Sequence, residues 1–322
     1  MTSIGRRVSR LSGYAPALPT PFREDGSIDF AAFESFCELQ IHEGASALVV
    51  CGTTGEAPTL SPQEQRDLVR MAAGVARGRV PVIAGAGSNS TAHAIELVRQ
   101  AEAARADAIL SVVPYYNKPT QAGLYQHFRA VVAVTGLPVI LYDVPPRTAC
   151  ALADETVARL AEDTQFIGLK DATGDLVRRA RLSAMVGADF RLLSGDDATA
   201  PAFIAQGGHG CISVASNLVP GLCRTLFLAL RQGHAAPAQH LARPVALLSA
   251  ALFRETSPGP LKHALSLLGF MSGRLRLPLV PPGESVQAEI AALLALLLRD
   301  HGEYIIGKDA ILKRNIGNAA MA

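Results

Sequence analysis

The chain has 322 residues, is 49% hydrophobic and carries 28 glycines, which suits one large α/β barrel or two ordinary domains with well-filled cores. A formal charge of +2, no tryptophan and only 5% aromatic residues give no electrostatic or stacking reason to expect nucleic acid or an acidic membrane as partner. Five cysteines, Cys37, Cys51, Cys150, Cys211 and Cys223, lack any CxxC spacing and read as reduced, mostly buried thiols of a cytoplasmic protein rather than disulfides or a zinc site.

Residues 1–12 contain Arg6, Arg7 and Arg10. No apolar run follows, because 13–21 is broken by prolines, so the segment reads as a short basic arm and not a signal peptide. Apolar, β-branched runs then recur at 15–18, 47–51, 80–84, 108–113, 139–142, 166–170, 191–193 and 210–214. Helical stretches separate them. Ser61-Pro62-Gln63-Glu64 opens one, with a capping hydroxyl, proline in the first turn and an acid three residues on. Ser90 or Thr91 opens the next, and Asp154 opens another after the fifth strand. The spacing, roughly 25–30 residues per unit, predicts a (β/α)8 barrel with a parallel sheet over 13–233. An open doubly wound sheet would want a glycine fingerprint after the first strand, which Leu18-Pro19-Thr20-Pro21 cannot supply. After Val214 the strands stop. Helices near 218–232, 239–255 and 284–300, broken up by Pro258-Gly259-Pro260 and Pro278 to Pro282, predict a helical domain over 234–302 and a tail over 303–322. The apolar stretch at 291–298 is too short to span a membrane.

In such barrels chemistry sits at the carboxyl ends of the strands. Only five lysines occur, Lys118, Lys170, Lys262, Lys308 and Lys313, and Lys170 closes the sixth apolar run. An amine at the mouth of such a strand loses hydration, which disfavours the ammonium form and leaves a nucleophile for carbonyls. The plainer alternative, in which Lys170 neutralises Asp171 or Asp175, stays open on this segment alone. Other strand ends add Gly52-Thr53-Thr54-Gly55-Glu56, whose hydroxyls and backbone N–H groups can cradle a carboxylate. Tyr142 can pass a proton to or from a carbinolamine near Lys170, with a second tyrosine and a threonine as relay. Arg147 can clamp a second carboxylate in bidentate fashion. The set fits a small 2-oxo acid plus an anionic partner. His42, His93, His127, His209 and His263 are scattered and read as surface or packing residues, so no metal and no other cofactor is expected.

Taken together, Gly52-Thr53-Thr54-Gly55-Glu56, Tyr115-Tyr116-Asn117-Lys118-Pro119-Thr120, Leu141-Tyr142-Asp143-Val144-Pro145-Pro146-Arg147-Thr148, Gly168-Leu169-Lys170-Asp171-Ala172-Thr173-Gly174, Ser194-Gly195-Asp196-Asp197, Gly210-Cys211-Ile212-Ser213-Val214 and Leu275-Arg276-Leu277-Pro278 resemble the dihydrodipicolinate synthase family of Schiff-base lyases, relatives of N-acetylneuraminate lyase. The resemblance implies a barrel with a C-terminal helical domain, in a homotetramer built as a dimer of dimers. It also implies condensation of pyruvate with L-aspartate-4-semialdehyde on the route to diaminopimelate and lysine. Carried over by position, Lys170 forms the imine with pyruvate. Tyr142, Thr53 and Tyr116 form the proton relay, Tyr116 reaching in from a neighbouring subunit. Thr54, with Thr53, holds the pyruvate carboxylate, Arg147 receives the semialdehyde carboxylate, and Gly195 and Ile212 line the pocket with backbone groups. Asp143 stands where many synthases carry asparagine. Sugar-acid and sialic-acid lyases share the lysine and the tyrosine and form the nearest alternative; a non-catalytic 2-oxo acid-binding barrel is the alternative from another class. Pro62, Gln65 and His93 occupy positions where lysine-sensitive members of the family carry polar or acidic groups, although Asn89 and Tyr115 are retained. Feedback by lysine is therefore expected to be weak or absent, and a lysine titration that inhibits strongly below millimolar concentration contradicts this.

Overall fold

The computed structural model describes residues 11–307. The arm expected at 1–12 and the tail expected at 303–322 fall largely outside the described residues. Of the tail, Ile305 and Ile306 are buried, and the Ile306 N–H donates to the Leu218 carbonyl at 2.9 Å.

Eight strands form one parallel sheet: β1 (Gly13–Pro16), β2 (Leu48–Val50), β3 (Val82–Gly85), β4 (Ala108–Val112), β5 (Val139–Asp143), β6 (Phe166–Asp171), β7 (Arg191–Ser194) and β8 (Gly210–Ser213). Their order is β1-β8-β7-β6-β5-β4-β3-β2. A parallel bridge from Ala17 to Val49 joins the two ends, giving the expected (β/α)8 barrel. Helices between successive strands cover it, among them Phe30–His42, Pro62–Ala76, Thr91–Ala103, Gln121–Val132, Asp154–Ala161 and Leu176–Met185.

Local chemistry sets where these helices begin. Ser61 and Glu64 form a reciprocal capping box, with Glu64 N–H donating to Ser61 Oγ at 3.2 Å and Ser61 N–H to Glu64 Oε2 at 2.8 Å. Ser90, not Thr91, caps the next helix. Ala153 rather than Asp154 is the cap residue of Asp154–Ala161, and Asp154 sits in the first turn, where a carboxylate complements the helix dipole.

Side chains alternate between two apolar layers. Ala15, Val49, Ile83, Leu110, Ile140, Tyr142, Ile167, Leu193 and Ile212 fill the barrel interior. Leu48, Val50, Leu141, Phe166 and Leu169 face the helices in a larger outer core. β6 departs from strict alternation. Phe166 and Leu169, three residues apart, both lie in the outer core, and Ile167 belongs to the inner one. The pairing of β5 with β6 shifts here, from Val139↔Phe166 to Ile140↔Gly168. The bulge absorbs one residue and offsets the alternation. Gly168 is required at this place, because a Cβ there would run into the Arg191 carbonyl of β7.

The C-terminal region holds the helices Pro220–Arg231, Ala235–Leu252, Gly259–Leu267 and Glu284–His301. Pro258-Gly259-Pro260, expected only as a break, starts a helix instead, since Pro260 lies in the first turn, where a missing N–H costs nothing. Pro244 sits inside Ala235–Leu252. Leu248, Leu261, Leu265, Ile290 and Leu294 belong to the same outer core cluster as the barrel strands. Among the described residues no helix is long and apolar enough to cross a membrane.

Candidate active site

Lys170 and Tyr142 are register partners on β6 and β5. Beyond the bulge, Lys170 points into the barrel: it is 7% exposed, and its Nζ lies 4.2 Å from the centroid of the Tyr142 ring. The carboxylates that could have neutralised it are engaged elsewhere. Asp171 accepts from the Thr173 N–H and hydroxyl at 2.9 and 2.6 Å. Asp175 caps the helix Leu176–Met185 and pairs with Arg181. Among the described residues Lys170 has no ion-pair partner. Gly195 makes room for its stem, since a Cβ there would stand 3.0 Å from Lys170 Cε and 3.2 Å from Lys170 Cγ.

The Gly52–Glu56 segment follows β2 as a tight turn. Gly55 N–H donates to the Gly52 carbonyl and Glu56 N–H to the Thr53 carbonyl, both at 3.1 Å. Cys51 just before it and Glu56 at its end have φ of 57° and 56°, a left-handed conformation that non-glycine residues adopt only where surroundings enforce it. Neither threonine hydroxyl caps the turn. Among the described residues the N–H and hydroxyl groups of Thr53 and Thr54 have no hydrogen-bond partner. Donors left over at a polar turn suit a carboxylate.

A cavity of about 370 Å³ lies beside this turn. Thr53, Tyr115, Tyr142 and Arg147 line it, together with Gln65 and His93. Arg147 sits on the one-turn helix Pro145–Thr148, which the sequence reading did not anticipate. Its guanidinium is exposed and has no carboxylate partner among the described residues. Lys170, Thr54, Gly195 and Ile212 are outside this lining; Ile212 is buried in the inner core. Tyr116 is not brought to the site within the chain. It is 89% exposed, with φ of 72°. Asp143, next to Tyr142, is fully buried. Burial pushes its carboxyl above the usual range, against the pull of Arg178, which donates to Oδ2 at 2.8 Å.

A lysine amine and a tyrosine inside a parallel barrel, with spare donors on a turn at the adjoining cavity, are the groups that a Schiff-base lyase of the class I aldolase type requires. Residues 10–297 match the model of the dihydrodipicolinate synthetase family, and the chain belongs to that family. It is 50% identical over 282 residues to the 4-hydroxy-tetrahydrodipicolinate synthase of Rhodospirillum centenum, covering 88% of this chain and 97% of the relative. The solved 4-hydroxy-tetrahydrodipicolinate synthase of Methylacidiphilum fumariolicum SolV superposes with a TM-score of 0.88 at 38% identity, over 93% of this chain and 99% of that one. The chloride-inhibited dihydrodipicolinate synthase of Acinetobacter baumannii, solved in complex with pyruvate, gives 0.86 at 40% identity, over 88% and 98%.

One part of the site was not foreseen. Glu56 is held from the C-terminal region. Lys262, on the helix Gly259–Leu267, is 0% exposed, and its Nζ donates to Glu56 Oε1 at 2.8 Å and to the Thr20 carbonyl at 2.9 Å. The Arg276 N–H donates to Glu56 Oε2 at 3.0 Å. Lys262 and Arg276 also sit 4.3 and 4.4 Å from the centroid of the Phe22 ring, as cation–π partners. The turn carrying Thr53 and Thr54 is thus fixed by a buried ion pair whose members lie 206 residues apart. The only hints in the sequence were the scarcity of lysine and the Leu275-Arg276-Leu277-Pro278 motif. Lys262→Met strands a buried carboxylate and is expected to cost about 3–5 kcal/mol, with Glu56→Gln in the same chain recovering much of the loss. Urea midpoints check this; a single variant as stable as the parent contradicts it.

Proposed function

We propose that the chain is a 4-hydroxy-tetrahydrodipicolinate synthase of the lysine and diaminopimelate route, condensing pyruvate with L-aspartate-4-semialdehyde through an imine on Lys170. The observation that carries the reading is the Lys170 amine, without an ion-pair partner among the described residues, 4.2 Å from the Tyr142 ring. The pyruvate carboxylate takes the spare donors of Thr53 and Thr54. The lysine lone pair adds to the keto carbon, and Tyr142, with Thr53, moves protons so that the carbinolamine loses water. The imine acidifies the adjacent methyl group, which loses a proton to give an enamine. That carbon adds to the aldehyde of the second substrate, whose carboxylate Arg147 holds. The second substrate's own amine then attacks the imine carbon, closes the ring and frees Lys170. The sum is pyruvate plus semialdehyde giving the cyclic product and water.

Gly195 serves this scheme by leaving space for the lysine stem, and Ile212 by filling the barrel interior. Tyr116 completes the relay from a neighbouring subunit of a homotetramer arranged as a dimer of dimers; its exposed position on a loop with left-handed backbone supports that role. A cytoplasmic location fits the five free thiols. The unpaired guanidinium of Arg147 favours an anionic aldehyde over a neutral sugar.

Lys170→Ala is expected to abolish the borohydride-trapped pyruvate adduct seen by mass spectrometry on peptide 166–175, and an adduct that persists there removes the assigned nucleophile. Arg147→Ala should raise KM for the semialdehyde roughly tenfold or more while moving that for pyruvate little, as loss of a charged bidentate contact implies. Equal changes for both substrates in steady-state assays would count against the clamp.

A further inference from the structure

Immediately outside β5 and β6 lies a buried charge cluster that takes no part in the cavity lining. Its centre is Arg178, on the helix Leu176–Met185, with a side chain 5% exposed. Nη1 donates to Asp143 Oδ2 at 2.8 Å and lies 3.5 Å from Asp171 Oδ2. Nε donates to Asp154 Oδ1 at 2.9 Å, and Nη2 to the Leu152 carbonyl at 2.6 Å. Each of the first two carboxylates is also tied to its own loop: Asp143 Oδ2 accepts from the Leu152 N–H at 3.1 Å, and Asp171 Oδ1 from Thr173. Asp143 Oδ1 is buried without a partner.

The placement of these carboxylates matters more than their number. Asp143 and Asp171 are register partners, one step beyond the pair Tyr142 and Lys170. Alternation turns Tyr142 and Lys170 inward, so the next residue on each strand faces outward, toward the helix. A single guanidinium nitrogen therefore spans the ends of β5 and β6 at the level of the reacting pair. Without it, two buried carboxylates would face one another in a poorly screened environment and push the strand ends apart. Lysine cannot substitute, because a single ammonium in place of Nη1 would leave Asp154 and the Leu152 carbonyl without the donors that Nε and Nη2 supply in the fixed geometry of the fork.

We propose that Arg178 is a positioning residue: by bridging Asp143 and Asp171 it fixes how Lys170 meets Tyr142, and so sets the rate of imine formation. The inference rests on the reading of Lys170 as the nucleophile. A merely structural role would lower stability and leave the chemistry of the folded enzyme unchanged.

The test measures borohydride trapping of pyruvate in single turnovers, pyruvate KM, and urea midpoints for the full chain. Arg178→Lys should slow imine formation about tenfold or more, since small misplacements of reacting groups cost that much, with pyruvate KM within about threefold of the parent. Asp143→Ala cuts the bridge on the β5 side but leaves Arg178 paired with Asp171 and Asp154, so it supplies a folded variant should Arg178→Lys fail to fold. It should be slowed likewise, and Asp143→Asn, which keeps an acceptor oxygen, should recover most of the rate. Trapping at the parent rate in folded Arg178→Lys or Asp143→Ala overturns the inference. A parent enzyme that traps no pyruvate on Lys170 overturns instead the reading on which it rests.

Discussion

Strands in a closed barrel send alternate side chains inward and outward, and at β6 this alternation is offset by one residue. The bulge at Ile167–Gly168 lets Ile167 and Lys170, three residues apart, share the interior, while Phe166 and Leu169 share the outer core. Without the offset an inward Ile167 would turn Lys170 toward the helices and Asp171 into the barrel. The amine would meet the helix layer, and a carboxylate would face the barrel interior. The offset depends on Gly168, whose missing side chain lets β7 approach. Everything the site does follows from which way that one strand end faces.

The two buried lysines show how surroundings decide chemistry. Lys262 is the more buried, yet its ammonium is held by Glu56 and the Thr20 carbonyl. Burial pulls its pKa down, and Glu56 works against that fall. It acts as a rivet, joining the helix Gly259–Leu267 to the turn that carries Thr53 and Thr54. Lys170 has an aromatic face and a glycine beside it. A partnered buried charge stabilises structure, whereas an amine with no anion beside it is available to react.

Much of the barrel was legible in the sequence because buried parallel strands are continuous apolar runs with recurrent spacing. All eight runs became strands, with ends displaced by a few residues: the run at 15–18 became Gly13–Pro16, and the run at 80–84 became Val82–Gly85. The helix Gly259–Leu267 was hidden because prolines that break a helix in its interior are tolerated in its first turn. Lys170, Tyr142 and the threonine turn stood out as polar groups closing apolar strands. The ion pair of Glu56 with Lys262 and the bridge from Arg178 to Asp143 did not, because a charged residue carries no mark of which distant partner it will meet.

The sequence by itself determined the strand and helix alternation, the polar strand ends and the residue types available for imine chemistry, since these depend on local periodicity and composition. Only the tertiary structure decided that Lys170 faces inward, that Asp171 faces Arg178, and that Lys262 on the helix Gly259–Leu267 locks the threonine turn. Those outcomes depend on a register shift between neighbouring strands and on contacts across more than 200 residues, and such distances are fixed when the chain packs, not by neighbours along it.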